Sequence, residues 1–304
     1  MQLGMIGLGK MGGNMARRLR NANIEVAGFN RDASVTQTLA EECGLQQAAS
    51  AEALVAMLDA PRLLWLMLPA GDVTESYVQQ MLGLLEPGDV LIDGANSYYK
   101  DSMRRGELLA SDGIHFIDAG VSGGVWGLDN GYAMMVGGSD EAFAELKPIV
   151  EALAPAADHG WVHTGSIGSG HFVKMIHNGI EYGMMQAYAE GFALMKGRAD
   201  FDLDLADIAE SWRHGSVVRS WLLDLSADVL ATDQQLDGVE PFVADSGEGR
   251  WTALEGIEQG IPTPVMSLAL MARFSSQGKQ DYSAKLLAMM RNQFGGHAIR
   301  EIKA

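Results

Sequence analysis

QLGMIGLGKMG, residues 2–12, decides the fold. Gln2 to Ile6 reads as a short apolar strand, Gly7-Leu8-Gly9-Lys10-Met11-Gly12 is a GxGxxG turn, and Asn14 to Arg20 has the composition of a helix. Glycines at these positions allow a tight turn and let backbone N–H groups approach a pyrophosphate, which the positive end of the following helix also favours. A glycine motif by itself says little, but one placed between a strand and a helix has the required context. The chain therefore opens as a Rossmann-type dinucleotide-binding domain, with Gly7, Leu8, Gly9, Lys10, Met11 and Gly12 as cofactor-binding residues.

Outward from there, a second strand, Ile24 to Phe29, ends in Asn30-Arg31-Asp32. At this point a Rossmann domain chooses between ribose hydroxyls and a 2′-phosphate. An acid accepts hydroxyl hydrogen bonds and repels phosphate, whereas an arginine attracts phosphate or stacks on adenine. Asp32 tilts the choice to NAD, with NADP still possible. Leu63 to Leu68 and Asp89 to Asp93 read as further buried strands, ending at Pro69-Ala70-Gly71 and Gly94-Ala95-Asn96-Ser97. Ligands of open parallel sheets sit beyond the carboxyl ends of the strands, so Leu68, Pro69, Ala70 and Asn96 are expected near the nicotinamide. Asn96 and Ser97 could instead cap a helix beginning near Tyr98. Phe116 to Gly124 begins as a strand and ends in a turn whose N–H groups and Ser122 hydroxyl could hold a carboxylate, although turn-making alone would explain Gly123 and Gly124.

The glycine-rich joint GSIGSG, residues 165–170, marks the predicted boundary between a dinucleotide domain at 1–164 and an all-helical domain at 165–304. Helical segments are expected at Met184 to Lys196, Leu205 to Arg213, Trp221 to Leu230, Val265 to Phe274 and Ser283 to Gln293. The fold class is α/β followed by all-α. A chain of 304 residues with 47% hydrophobic content can bury a large core in two such domains. Its net charge of −17 disfavours nucleic acid and anionic membrane surfaces as partners. One cysteine, Cys43, excludes an internal disulfide and a cysteine-based zinc site, and no metal is expected. With no basic leader before the first strand and no run as long as a membrane span, a cytoplasmic home is expected.

HFVKMIHNGIEYGMMQAYAE, residues 171–190, reads as a buried helix that nonetheless carries an amine, a carboxylate, two imidazoles and an amide. Lys174, Asn178 and Glu181 fall at i, i+4 and i+7, on one stripe. Such a stripe can be a solvated face with a Glu–Lys pair. Val173, Met175, Ile176, Ile180, Met184 and Met185 around it favour a cleft lining instead.

VKMIHNGIEYG, residues 173–183, resembles the catalytic helix of the 6-phosphogluconate dehydrogenases. The related 3-hydroxyacid dehydrogenases keep a Lys and an Asn at this spacing but generally lack HNGIEY. DGANSYYKD and VSGG match further segments of the family, and RNQFGGH, residues 291–297, resembles its RDYFGAH segment. Residues 245–252 resemble its KGTGKWT loop, with Ser246 at the lysine position and Glu248 at the threonine position. The position matching Asp32 is commonly a small hydroxyl residue in NADP-using relatives.

The resemblance implies oxidative decarboxylation of 6-phosphogluconate to ribulose 5-phosphate and CO2, as in the pentose phosphate pathway and gluconate use. Lys174 would take the 3-hydroxyl proton and Glu181 would protonate C1 of the enediol. Asn96, His177, Asn178 and Tyr182 would orient the substrate, and Ser122, Gly123 and Gly124 would hold its carboxylate. Arg273, Arg291 and His297 would bind the phosphate, with Arg250 supplying some of the charge lost at Ser246. The tail residues Arg291 and His297 would act in trans, in a homodimer or dimer of dimers that exchanges C-terminal tails. Competing readings are a non-decarboxylating 3-hydroxyacid dehydrogenase and a dinucleotide-binding sensor without turnover.

Overall fold

A computed structural model describes residues 1–279, 281–295 and 298–300, which divide into two units, Met1–His177 and Asn178–Ala304. The first unit runs β1 (Gln2–Ile6), α1 (Lys10–Asn21), β2 (Glu25–Phe29), α2 (Ala33–Cys43) and β3 (Gln46–Gln47). It continues with α3 (Ala51–Ala56), β4 (Leu63–Leu66), α4 (Asp72–Leu82), β5 (Val90–Asp93) and α5 (Tyr99–Ala110). Then come β6 (His115–Ser122), α6 (Gly127–Asn130), β7 (Ala133–Gly137), α7 (Asp140–Leu153) and β8 (Trp161–Gly165). The eight strands form one sheet in the order β3-β2-β1-β4-β5-β6-β7-β8, parallel except where β7 runs against β6.

The central strands β1, β4, β5 and β6 are mostly apolar and buried because helices cover both faces. Successive residues point to opposite faces, so Leu3, Met5, Trp65, Ile92 and Ile117 enter one core while Ile6, Leu64, Leu66, Leu91 and Phe116 enter the other. The parallel register lines up the ends of β1, β2, β4 and β5, with Ile6 beside Phe29 and Leu66, and Leu66 beside Asp93. The glycine turn and the loops after β2, β4 and β5 therefore leave the sheet at one edge.

A single helix, α8 (Ser169–Lys196), covers both the predicted HFVKMIHNGIEY helix and the segment expected to start at Met184. No proline or capping turn interrupts it, and the division between the units falls within it, after His177. The second unit continues with α9 (Leu205–Arg213), α10 (Trp221–Thr232), α11 (Glu248–Gln259), α12 (Pro264–Ser276) and α13 (Asp281–Gly295). Leu205, Ala209, Ala227 and Leu230 form a small core between α9 and α10, with Phe192 and Met195 of α8 packed on it. The stretch read as a loop over 245–252 differs: from Glu248 onward it is helix, and α8 packs against it through glycines. A Cβ on Gly249 would lie 2.5 Å from the Tyr182 ring, and one on Gly179 2.6 Å from Thr252. No helix among the described residues is long and apolar enough to cross a membrane.

Candidate active site

The turn between β1 and α1 is built by glycines with different tasks. Gly7 has φ 92°, and a Cβ there would lie 2.3 Å from the Met67 carbonyl; a Cβ on Gly12 would lie 2.1 Å from the Gly7 carbonyl. Both glycines are demanded by the fold. Gly9 is not: its φ is −62° and a Cβ would meet nothing within 4 Å. It is the N-cap of α1 and no side chain caps it, which leaves the first-turn N–H groups of Lys10 and Met11 to face an anion. An open cradle at a glycine that the protein itself does not require fits a dinucleotide pyrophosphate. We expect Gly9→Ala to keep its melting temperature yet lose about tenfold or more in dinucleotide affinity, measured by fluorescence titration, roughly 1.4 kcal/mol. Equal affinity would show that nothing approaches Gly9 closely.

The exit of β2 braces this turn. Asn30 Oδ1 accepts from Leu8 N at 3.0 Å, while Asn30 Nδ2 donates to the Asp32 carbonyl. Arg31 is exposed. Asp32 is the N-cap of α2, and Oδ1 accepts from the Ser34 hydroxyl at 2.7 Å and from Ser34 N at 3.0 Å. The hydroxyl, and then the backbone bond, hold its carboxyl below the ordinary range. Asp32 is thus a fixed anion where a ribose would bind. After β4, Leu68 is half-buried, Pro69 and Ala70 are exposed, and Thr74 Oγ1 anchors the Pro69 carbonyl at 2.9 Å.

Asn96 and Ser97 do not cap α5, whose N-cap is Tyr98. Asn96, at φ 51°, instead turns its amide onto β6: Oδ1 accepts from Val121 N at 3.0 Å, and Nδ2 donates to the Val121 carbonyl at 3.3 Å. The loop after β5 is thereby tied to the residue preceding Ser122. Ser97 Oγ turns inward to Asp93 at 2.9 Å, where Arg105 Nη1 also donates at 2.9 Å. Arg105 is 1% exposed and Asp93 0%, and the arginine continues through Nε to Glu75, which Arg104 holds from outside. Bonds from Arg104, then from Arg105, hold the Glu75 carboxyl down at about 2 despite its partial burial.

β6 ends at Ser122, followed by Gly123 at φ 131° and Gly124 at φ 53°, a backbone path that only glycine takes readily. Beside it lies Lys174, with 5% of its surface exposed and Nζ 3.4 Å from His177 Nδ1. A Cβ on Gly120 would lie 2.3 Å from the Lys174 Cβ, so the glycine is what admits the lysine stem. Farther along α8, Asn178 and Glu181 are half-buried and Tyr182 is buried. The surrounding apolar residues do not form the expected lining throughout: Met175 is buried, but Val173, Ile180, Met184 and Met185 are exposed. A helix that carries a stripe on one side must turn its opposite side elsewhere, and sequence alone does not say what covers it.

Within the second unit, the Arg273 guanidinium stacks 3.4 Å from the centre of the Tyr182 ring and donates to the Ala244 carbonyl at 2.8 Å. The Tyr182 hydroxyl reaches Ser246 Oγ at 3.3 Å, and Ser246 in turn donates to Glu248 at 2.6 Å. Arg250 lies over the Phe274 ring and is paired with the buried Asp245 carboxylate. This corrects the expectation that Arg250 supplies free positive charge, because its own chain neutralises it. Arg291 is exposed on α13, and His297 lies outside the described residues.

Residues 2–167 match the NAD binding domain of 6-phosphogluconate dehydrogenase, and residues 170–303 match the 6-phosphogluconate dehydrogenase C-terminal domain. The chain belongs to the 6-phosphogluconate dehydrogenase family. A Bacillus subtilis protein, YqeC, whose name assigns it provisionally to this family, is 39% identical over 99% of this chain and 100% of its own length. The NAD(+)-dependent, decarboxylating 6-phosphogluconate dehydrogenase of Haloferax volcanii is 40% identical over 98% of both chains. Among solved structures, Plasmodium falciparum 6-phosphogluconate dehydrogenase, determined apo, with NADP+ and with 6-phosphogluconate, superposes with a TM-score of 0.84. It is 29% identical, over all of this chain and 67% of that one. As a member of this family the chain is an oxidoreductase with a nicotinamide dinucleotide cofactor.

Sequence reasoning missed several residues of the site. Asp93, Arg105 and Asp118 are buried and hydrogen-bonded, as are Ser97, which the sequence offered only as a helix cap, and His171, noted there only as one of two imidazoles. Their one legible signal was an acid inside an apolar strand, VLID and HFIDAG, since a buried carboxylate must find partners.

Proposed function

We propose that this protein catalyses the oxidative decarboxylation of 6-phosphogluconate to ribulose 5-phosphate and CO2, preferring NAD. The observation that carries the reading is Lys174, buried and seated on Gly120 two residues before Ser122, on a helix that goes on to present Asn178, Glu181 and Tyr182. The glycine turn and Asn30 to Asp32 would hold the pyrophosphate and ribose of a dinucleotide, whose nicotinamide, beside the loops after β4 and β5, would accept the hydride. The Lys174 amine, within reach of His177 Nδ1, takes the 3-hydroxyl proton as hydride leaves C3. The Ser122 hydroxyl and the N–H groups of Gly123 and Gly124 hold the carboxylate. The resulting β-keto acid loses CO2, leaving its electron pair in an enediol that Glu181 protonates at C1. His177, Asn178, Asn96 and Tyr182 orient the hydroxyl groups.

Phosphate recognition falls to Arg273, and to Arg291 and His297 of a second copy. With Arg250 neutralised by Asp245 and Glu248 in place of a threonine, the chain needs these cations from elsewhere. Exposed apolar side chains on α11 to α13, among them Ile257, Leu268, Tyr282 and Leu287, support self-association in a homodimer or dimer of dimers. A cytoplasmic site of action accords with a chain of one free cysteine.

Steady-state reduction of NAD and of NADP with 6-phosphogluconate and with gluconate, with released CO2 measured, tests the reading directly. NAD reduction with 6-phosphogluconate and one CO2 per turnover is expected; oxidation without CO2 would instead place the protein with the non-decarboxylating 3-hydroxyacid dehydrogenases. Asp32→Ser removes a fixed anion from the ribose position and should shift the NAD:NADP ratio of kcat/KM towards NADP by on the order of tenfold or more. A native protein that strongly prefers NADP contradicts the assigned role of Asp32.

A further inference from the structure

The face of β6 turned towards α8 carries Asp118, Gly120 and Ser122 at a spacing of two, the period at which a strand repeats a face. Each makes a different contact or has a different task. Asp118 is 0% exposed; Oδ1 accepts from Gly168 N and Oδ2 from His171 N, both at 2.7 Å. A carboxylate there satisfies two N–H groups at the start of α8 that no helical carbonyl reaches, and it complements the positive end of the helix. Gly120 receives the Lys174 stem. Ser122 begins the loop assigned to the substrate carboxylate.

The helix start is pressed onto the sheet as closely as backbone allows. A Cβ on Gly170 would lie 2.4 Å from the Asp118 carbonyl and 2.6 Å from the Met135 carbonyl, and a Cβ on Gly137 2.7 Å from Gly170 N. A second anchor, His171 Nδ1 to Ser102 Oγ at 2.7 Å, attaches the same turn to α5. With that attachment present, what the Asp118 carboxylate adds is register: it fixes which residue of α8 stands against which residue of β6.

We propose that Asp118 is a positioning residue, and that β6 acts as the ruler that sets the Lys174 amine at its working distance from the substrate carboxylate bound at Ser122. The proposal rests on the reading of Lys174 as the base. A displacement on the order of 1 Å in such an arrangement lowers turnover by up to about a hundredfold.

Asp118→Asn keeps the size of the side chain but offers an NH2 group to a backbone N–H, so one of the two bonds is lost. The purified variant should bind NAD as tightly as wild type and keep its KM for 6-phosphogluconate within about threefold. Its kcat should fall by roughly tenfold to a hundredfold, and the deuterium isotope effect on kcat with substrate labelled at C3 should rise, because the misplaced base makes the chemical step limit turnover. A purely structural role would reduce the active fraction and leave the isotope effect unchanged. Should Asp118→Asn fail to fold, Gly120→Ala leaves the Asp118 carboxylate in place and pushes α8 back at the Lys174 Cβ and the Gly170 carbonyl, with the same kinetic signature expected. Wild-type kcat and isotope effect in a folded variant overturn the positioning role. If Lys174→Met is inactive while Asp118→Asn behaves as wild type, that role alone falls; if Lys174→Met retains turnover, the assignment of the base falls with it.

Discussion

Lys174→Met should lower kcat for 6-phosphogluconate oxidation by about a thousandfold, within the range that general acid–base groups contribute. Dinucleotide affinity should stay within about twofold, because Lys174 lies in the second turn of α8 against Gly120 of β6, whereas the proposed pyrophosphate cradle is at Gly9 between β1 and α1. Methionine preserves the length and apolar stem that Gly120 accommodates, so the substitution removes the amine with little change in packing. Turnover near wild type would remove Lys174 from the mechanism. The same variant reports on sharing between subunits. Mixed with an inactive Arg291→Ala protein under conditions that let subunits exchange, it should recover activity if Arg291 completes the partner's site. No recovery after verified exchange would mean that each chain builds its own.

Arg105→Met should destabilise the protein by roughly 3–5 kcal/mol in urea unfolding, the usual cost of removing one partner from a buried ion pair. Arg105 and Asp93 are 1% and 0% exposed, and without the guanidinium the Asp93 carboxylate keeps only Ser97 Oγ and Ala95 N as donors. Adding Asp93→Asn should return part of the loss, because the stranded charge is then gone. A single-variant loss under about 1 kcal/mol would show that water or a shifted side chain compensates, contrary to the burial seen here. Glu75, the outer member of the network, gives the pH dependence. Its carboxyl is held at about 2 in the folded state against an ordinary 4.5, so the unfolded chain binds more protons between those values. The stability that Glu75 contributes is therefore complete above about pH 4.5 and fades as pH falls towards 2.

Much of the molecule was legible because local chemistry forced it. Gly7 and Gly12 sit where a side chain would strike the backbone, so a Rossmann turn has little choice but glycine. Continuous apolar strands and the Gly-rich joint gave the order α/β then all-α. The stripe of Lys174, Asn178 and Glu181 follows from helical periodicity alone. Asp32 was read as a selector of the cofactor, and the structure adds that it is fixed by capping α2 through Ser34. Asn96 was read as a contact to ligand, and the structure adds that one donor and one acceptor of its amide hold it to the Val121 backbone.

What the sequence determined by itself was the family and the order of the elements, and it named candidates for the chemistry, because each of these readings depends on neighbours within a few residues along the chain. Only the tertiary structure decided that Arg250 is neutralised by Asp245, that Glu248 opens a helix, and that Asp118, Arg105 and His171 support the site from beneath. The last of these rests on bonds such as Asp118 to His171 and Ser102 to His171, between residues more than fifty positions apart, whereas Arg250 and Asp245 stand only five apart and still pair through the local turn. A buried charge announces that it must have a partner, but the partner is chosen by how strands and helices pack, and no local pattern encodes that choice.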